Sequence, residues 1–232
     1  MKKTILIMPA YNEEKTIGSV LDKVKKIKDK GIIDKILVVD DGSTDRTAKI
    51  AKEKGMDVVS HVVNRGIGAA QQTGYEISIN EGYDYLIQMD ADSQHNPKYI
   101  TKIINELENG NAMVIASRKH KFNMPFVRRI GIIFFSFLAS SFNDKKIKDI
   151  TSGFRGYRVE ALKGLEELPD NHWAIEQTLT FLNKKLKIKE TPINMEFRKI
   201  GRSQFDNLET LISYPFKMFD VFIRKTIRRI FR

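Results

Sequence analysis

Short apolar runs rich in β-branched residues alternate with longer stretches of helical periodicity through the first half of the chain. Thr4–Met8, Lys35–Val39, Asp57–Val62, Tyr85–Met89 and Ala112–Ala116 have the length and composition of strands. Between them, Glu14–Lys28, Thr44–Lys54, Gly68–Asn80 and Pro97–Asn109 carry apolar residues at helical spacing, as Ile17, Val20, Leu21, Val24 and Ile27 do in the first. This alternation predicts a mixed, mainly parallel α/β sheet with helices on both faces. Ligands of such sheets sit beyond the carboxyl ends of the strands, so the residues that follow each strand carry the functional signal.

After about residue 118 the pattern changes. A basic loop leads into the apolar run Ile130–Phe142, a glycine-containing segment Ser152–Arg158, a helical stretch Trp173–Leu186 and a short strand at Ile193–Arg198. A final helical pattern extends from about Asp206 to Arg232, broken or kinked at Pro215. With no repeat and no low-complexity linker, one domain is expected over residues 1–205, followed by a helical tail over 206–232. In that tail Phe219, Phe222, Ile223, Ile227 and Ile230 form one stripe, and Arg224, Lys225, Arg228 and Arg232 fall largely elsewhere. Such a basic amphipathic helix suits an anionic bilayer interface, with packing on the domain or a helix-mediated dimer as the competing readings.

The apolar run Ile130–Phe142 is thirteen residues long. A spanning helix needs roughly 20, so no transmembrane helix is expected; a second interfacial helix and a buried core segment remain the alternatives for this run. Ile5–Met8 is likewise too short for a signal peptide and reads as a buried first strand.

Composition narrows the partners. The 232 residues are 41% hydrophobic and 30% charged, as in an ordinary globular chain. Forty Lys and Arg against 29 Asp and Glu leave a net charge of +11, which calls for an anionic partner: nucleic acid, a phosphorylated ligand or an acidic membrane. The absence of cysteine excludes a disulfide-stapled secreted scaffold and any Cys-based metal or nucleophile site.

Three strand ends carry acidic clusters. Pro9-Ala10-Tyr11-Asn12-Glu13-Glu14 offers a fixed φ, a stacking ring and carboxylates, or alternatively a helix cap at Asn12. Asp40-Asp41-Gly42-Ser43-Thr44-Asp45 places two carboxylates before a glycine turn, where one can accept from a base or sugar while the other braces the loop; the bland reading is a cap by Ser43 or Thr44. Asp90-Ala91-Asp92-Ser93-Gln94 follows the fourth strand. If extended geometry persists there, Asp90 and Asp92 project to one side and offer hard oxygen ligands to Mg²⁺ or Mn²⁺, with Gln94 or His95 completing the shell. The segment Asn64-Arg65-Gly66-Ile67-Gly68-Ala69-Ala70 lacks the third glycine of a dinucleotide fingerprint and follows the wrong strand, which excludes a Rossmann dehydrogenase.

Taken in order, these segments resemble the inverting glycosyltransferases of family 2, and more narrowly the dolichol-phosphate mannosyltransferase and polyprenyl-phosphate glycosyltransferase branch. The signature segments are Pro9–Glu13, Val38–Asp45, Asn64-x-Gly66-x-Gly68, Asp90-Ala91-Asp92 and Ser152-Gly153-Phe154-Arg155-Gly156-Tyr157-Arg158, and the likeness covers about residues 3–205. It implies a nucleotide-diphospho-sugar transferase fold of the GT-A type. It also implies that Pro9, Tyr11, Glu13 and Asp41 hold the nucleotide, and that Asp90, Ala91, Asp92 and Gln94 form the metal segment.

Arg118, Arg128 and Arg129 are candidates for phosphate contacts. The family's later arginine and glycine element matches Arg198-Lys199-Ile200-Gly201-Arg202-Ser203, although Gln204 stands where relatives often have lysine. Through Arg198, Arg202 and Ser203 this loop is expected to close over the donor.

The implied activity is transfer of a hexose from GDP-mannose or UDP-glucose to a polyprenyl phosphate at the cytoplasmic membrane face, with an integral-membrane partner or a homo-oligomer as companions. A saccharide hydroxyl acceptor is the alternative and would need a base, for which Glu176 is the candidate. A nucleic-acid-binding module is disfavoured because the cations concentrate in the tail rather than in a nucleic-acid motif.

Overall fold

The computed structural model describes residues 2–119, 133, 147–149, 152–163 and 186–195. Among the described residues seven strands form one sheet: β1 (Thr4–Ala10), β2 (Lys35–Asp40), β3 (Asp57–Ser60), β4 (Tyr85–Gln88), β5 (Met113–Arg118), β6 (Arg155–Arg158) and β7 (Ile188–Ile193). Their spatial order is β3-β2-β1-β4-β6-β5-β7. Only β6 runs against its neighbours, inserted antiparallel between β4 and β5.

The strand centres read as continuous apolar runs because both faces are covered: all seven residues of β1 are buried. Alternation then divides them. Ile5 and Ile7 join the cluster containing Ala70 and Tyr75 of α3 (Ile67–Asn80) and Leu162 of α5 (Val159–Leu162). Leu6 and Met8 face the opposite cluster, built with Ile17, Val20, Leu21 and Val24 of α1 (Ile17–Lys28) and Ile100, Ile103 and Leu107 of α4 (Ile100–Glu108). The remaining helix, α2 (Thr47–Glu53), lies between β2 and β3 in sequence and buries Thr47 and Ala51.

Three expectations are corrected. First, β4 ends at Gln88, so strand alternation cannot aim Asp90 and Asp92; Ala91–Ser93 form a bend and Ser93 is left-handed at φ 67°. Second, the segment Ser152–Arg158 contains a strand, β6, buried in the middle of the sheet. Third, the last described strand is Ile188–Ile193 rather than Ile193–Arg198; Asn194 and Met195 are not in a strand, and residues 196–198 lie outside the described residues. Pro192 and two charges disguise β7, but β7 is an edge strand, where proline is tolerated. The expected helix Trp173–Leu186, the run Ile130–Phe142 apart from the helical Ile133, and the tail 206–232 also fall outside the described residues.

Candidate active site

Because β1 pairs with both β2 and β4, three strand ends come together at one edge of the sheet: Ala10 lies opposite Asp40, and Ile7 opposite Gln88. The loops that follow carry Tyr11, Asp41 and Asp90.

The first two loops are laced together by bonds between side chains of one and backbone of the other. Asn12 N–H donates to Ser43 Oγ (3.0 Å), while Thr44 N–H donates to Asn12 Oδ1 (2.9 Å). Glu13 N–H donates to Thr47 Oγ1 (2.8 Å), Glu14 N–H to Asp45 Oδ2 (3.1 Å), and Arg46 N–H to Glu14 Oε2 (3.2 Å). The capping readings therefore give way: Thr16 and Arg46 occupy the positions before α1 and α2, and Asn12, left-handed at φ 54°, braces the neighbouring loop. This lacing leaves Tyr11 projecting at 41% exposure, as a stacking ring requires. Pro9 is buried within β1, and the Glu13 carboxylate accepts from the Thr16 hydroxyl.

Asp40 and Asp41 are both buried. Asp40 Oδ1 accepts from Ser43 N–H at 3.3 Å. Asp41 reaches across to the loop before α3: Oδ1 lies 2.7 Å from His61 Nδ1 and accepts from Arg65 N–H (3.0 Å), and Oδ2 accepts from Gly66 N–H (2.7 Å). Gly42 is the residue that lets this loop come close. Its φ is +71°, and a Cβ there would fall 2.5 Å from the Val63 carbonyl carbon.

At the third strand end the turn is held from inside. Asp90 N–H donates to His95 Nδ1 (3.1 Å), which leaves the hydrogen of a neutral ring on Nε2, 3.8 Å from Asp90 Oδ2. His95 is buried and stacked on Phe154. Asp92 Oδ1 accepts from Gln94 N–H (3.0 Å), and Ala91 is buried between the two aspartates in sequence. Asp90, Asp92 and Gln94 are each partly accessible.

The entry to β6 presses on this turn. A Cβ at Gly153 would lie 2.5 Å from Asp90 Oδ2 and 3.0 Å from Oδ1, so only glycine leaves the carboxylate its place. Gly153 is itself fixed by Gln88 Nε2, which donates to its carbonyl (3.0 Å); Gln88 Oε1 accepts from Tyr75 Oη (2.6 Å).

Arg118, a candidate for phosphate contact, is engaged by an acidic side chain. Its guanidinium grips buried Asp149 with two bonds, Nε to Oδ2 at 2.7 Å and Nη2 to Oδ1 at 2.6 Å, and its backbone N–H adds a third at 3.0 Å. Glu190 of β7 accepts from Asp149 N–H (2.8 Å) and Lys148 N–H. This clamp fastens residues 147–149 to β5 and β7, immediately before the segment that presses on Asp90. Arg128, Arg129, Glu176, Arg198, Arg202 and Ser203 lie outside the described residues.

The donor set fits Mg²⁺ or Mn²⁺ better than a closed zinc cage. Asp90 and Asp92 supply hard oxygens, and the glycine-lined contact keeps room at Asp90. Among the described residues no group of three or more His, Cys, Asp or Glu side chains is arranged to hold a metal ion. Among the same residues no helix is long and apolar enough to cross a membrane.

The acidic strand ends are legible in the sequence, whereas His61, Thr73, Gln88, Asp149 and Glu190 are not, and Gly153 stands in a signature segment without its contact to Asp90 being foreseen. Their roles arise from contacts between distant segments, and the one local signal, a glycine directly before Phe154, does not say which group approaches it.

Comparison with known proteins agrees with this layout. Residues 5–165 match the model of Glycosyl transferase family 2. The UDP-N-acetylglucosamine–dolichyl-phosphate N-acetylglucosaminyltransferase of Methanococcus voltae is 31% identical over 89% of this chain and 91% of its own length. The polyprenol monophosphomannose synthase of Mycolicibacterium smegmatis is 30% identical over 88% of this chain and 81% of its own. In fold, glucosyl-3-phosphoglycerate synthase of Mycobacterium tuberculosis, solved with Mn²⁺ and UDP-glucose, superposes with a TM-score of 0.77 at 21% identity, over 97% of this chain and 79% of that one.

Proposed function

Since the chain belongs to Glycosyl transferase family 2 and is a glycosyltransferase, we propose that it moves a hexose from a nucleoside-diphosphate sugar to a polyprenyl phosphate at a membrane surface. The observation that carries this reading is the convergence of Tyr11, Asp41 and the Asp90–Gln94 turn at the adjacent ends of β1, β2 and β4. Two relatives of nearly full length, named for transfer to dolichyl phosphate and for polyprenol monophosphomannose synthesis, support the lipid acceptor.

Tyr11 stacks on the nucleobase, and Asp41 accepts from it or braces the loop that does. Pro9 and Glu13 shape the same wall. Asp90 and Asp92, with Gln94, would hold Mg²⁺ or Mn²⁺, and the ion would supply Lewis-acid stabilisation of the charge that builds on the leaving phosphate. An oxygen of the acceptor phosphate attacks the anomeric carbon while the bond to the nucleoside diphosphate breaks, and the centre inverts. Because a phosphate monoester is already anionic near neutral pH, no general base is required. Arg129, Arg198, Arg202 and Ser203 are the candidates for phosphate contacts, and the basic tail sequence 206–232 is the candidate for attachment to an anionic membrane surface on the cytoplasmic face. Arg118 acts at one remove, by holding Asp149.

The test is to incubate the protein with labelled GDP-mannose, UDP-glucose or UDP-N-acetylglucosamine, Mn²⁺ and polyprenyl phosphate, and to extract with organic solvent. Label in the organic phase is expected. Label confined to a water-soluble glycan assigns a hydroxyl acceptor, the reaction for which Glu176 is the candidate base. Salt-sensitive DNA binding without nucleotide-sugar binding overturns the reading altogether.

A further inference from the structure

We infer that His61 is a positioning residue for nucleotide binding, acting through Asp41 on the loop over residues 61–66. This inference rests on the proposed nucleotide site. His61 follows β3, is tied to β2 through its own backbone, N–H to Asp40 O at 2.9 Å, and has an almost fully buried ring. One ring nitrogen, Nδ1, lies 2.7 Å from Asp41 Oδ1; the other, Nε2, lies 2.9 Å from Thr73 Oγ1 on α3. The ring therefore bridges the end of β2 to the first turns of α3.

The polarity of this bridge is self-consistent. A carboxylate only accepts, so Nδ1 carries a hydrogen and donates to Asp41. The Thr73 hydroxyl then donates to Nε2 of the neutral ring, or accepts from it if the ring is protonated, because a hydroxyl rotates to suit either. Either hydrogen arrangement satisfies the same geometry, so His61 fastens the two elements together.

What it fastens matters for a ligand. Asp41 also accepts from the backbone N–H groups of Arg65 and Gly66, directly before α3, which has no side-chain cap of its own. With His61 these occupy three of the roughly four acceptor positions of a carboxylate, so the orientation of the last one is dictated by the other three. Removing the His61 bond lets the Asp41 carboxylate turn about its Cα–Cβ bond and loosens the loop that runs past Val62 and Val63, both exposed. The lacing between the first two loops and the Asp90 turn includes no bond to His61 and stays intact.

The experiment compares His61→Phe, which keeps bulk and removes both bonds, with His61→Asn, which keeps a donor toward Asp41, and with Thr73→Val, which removes only the Nε2 bond. Calorimetric titration with GDP and UDP in the presence of Mn²⁺ is expected to show an affinity loss of about tenfold or more for His61→Phe, as for a lost hydrogen bond to a charged group, with partial recovery in His61→Asn and a smaller loss in Thr73→Val. Steady-state kinetics should place the loss in KM for the nucleotide-sugar and leave kcat within about twofold, since the interaction acts on binding.

Hydrogen exchange at the Arg65 and Gly66 amides, measured without nucleotide, should accelerate in His61→Phe while the β1 amides remain protected. Unchanged nucleotide affinity, or a His61→Asn variant no better than His61→Phe, overturns the inference. So does exchange that accelerates throughout the sheet, the mark of a merely structural role. If the wild-type protein takes up neither GDP nor UDP, the proposed function fails; the amide pattern then still decides whether His61 fastens the loop, and uniform exchange rejects it.

Discussion

The two halves of the site are built by opposite means. On the proposed nucleotide side, loops adjacent in the sheet interlock through at least five bonds between side chains and backbone, among them Asn12 with Ser43 and Thr44, and Glu13 with Thr47. On the proposed metal side, the Asp90 turn is shaped by contact with a segment about sixty residues away: Gly153 against the carboxylate, Gln88 holding Gly153, and the Arg118–Asp149–Glu190 clamp just upstream. The first arrangement is redundant, so losing one bond leaves four. The second is serial, because each contact sets the position of the next.

That difference can be broken most forcefully at the carboxylates. Asp92→Ala should lower transfer by about 10²–10³-fold, the equivalent of the several kcal/mol a divalent cation supplies to a developing phosphate charge, while thermal melting of the variant stays close to that of the wild type. Full activity in Asp92→Ala would remove the metal side of the account.

Asp149→Ala leaves Arg118 facing a buried void of charge. Urea denaturation should report a loss of about 3–5 kcal/mol, the usual consequence of removing one member of a buried pair. No single substitution in the interlock, such as Asn12→Ala, should cost more than about 1–2 kcal/mol, because each breaks exposed or half-buried bonds only.

Gly153→Ala sharpens the contrast further, since its Cβ would enter the space of Asp90 Oδ2. Mn²⁺-dependent nucleotide binding should weaken by roughly 10–100-fold, in the range for disturbed supports of a metal ligand. Affinity equal to the wild type's would mean that the β6 entry moves aside at no cost.

These asymmetries also explain what could be read from the sequence. β1 through β5 were legible because each is a short apolar run between helices of clear period, and the acidic strand ends stood out because a parallel sheet puts function there. β6 was not, since Arg155-Gly156-Tyr157-Arg158 carries two arginines and a glycine; it is a strand because Tyr157 and the fully buried Arg155 lie between β4 and β5. Nothing local to Arg118 signals that Asp149, 31 positions away, bonds to its guanidinium. Asp90 and Asp92 were singled out on an extended geometry that the structure replaces: strand alternation stops at Gln88, and a turn pinned by His95 takes over.

The smallest effect belongs at the far end of the sheet. There the Glu81 carboxylate, bonded to the Lys35 ammonium at 2.8 Å, raises the Lys35 pKa above its ordinary 10.5, and burial raises that of Tyr83 above 10.0. Both raised values mean that the associated stability is complete below the unfolded pKa and is lost as pH climbs through the folded one. Urea midpoints should therefore be insensitive to this cluster at pH 7–9 and decline only above about pH 10, while Lys35→Met at pH 7 should cost no more than about 1 kcal/mol and leave nucleotide binding unchanged.

The most direct test is calorimetric titration of GDP and UDP into the wild-type protein and into Asp90→Asn, each with and without Mn²⁺. The account predicts that Mn²⁺ strengthens binding of at least one nucleotide by about tenfold or more in the wild type and has no effect in Asp90→Asn. Equal affinity with and without Mn²⁺ in the wild type, or a full Mn²⁺ effect retained in Asp90→Asn, would contradict it.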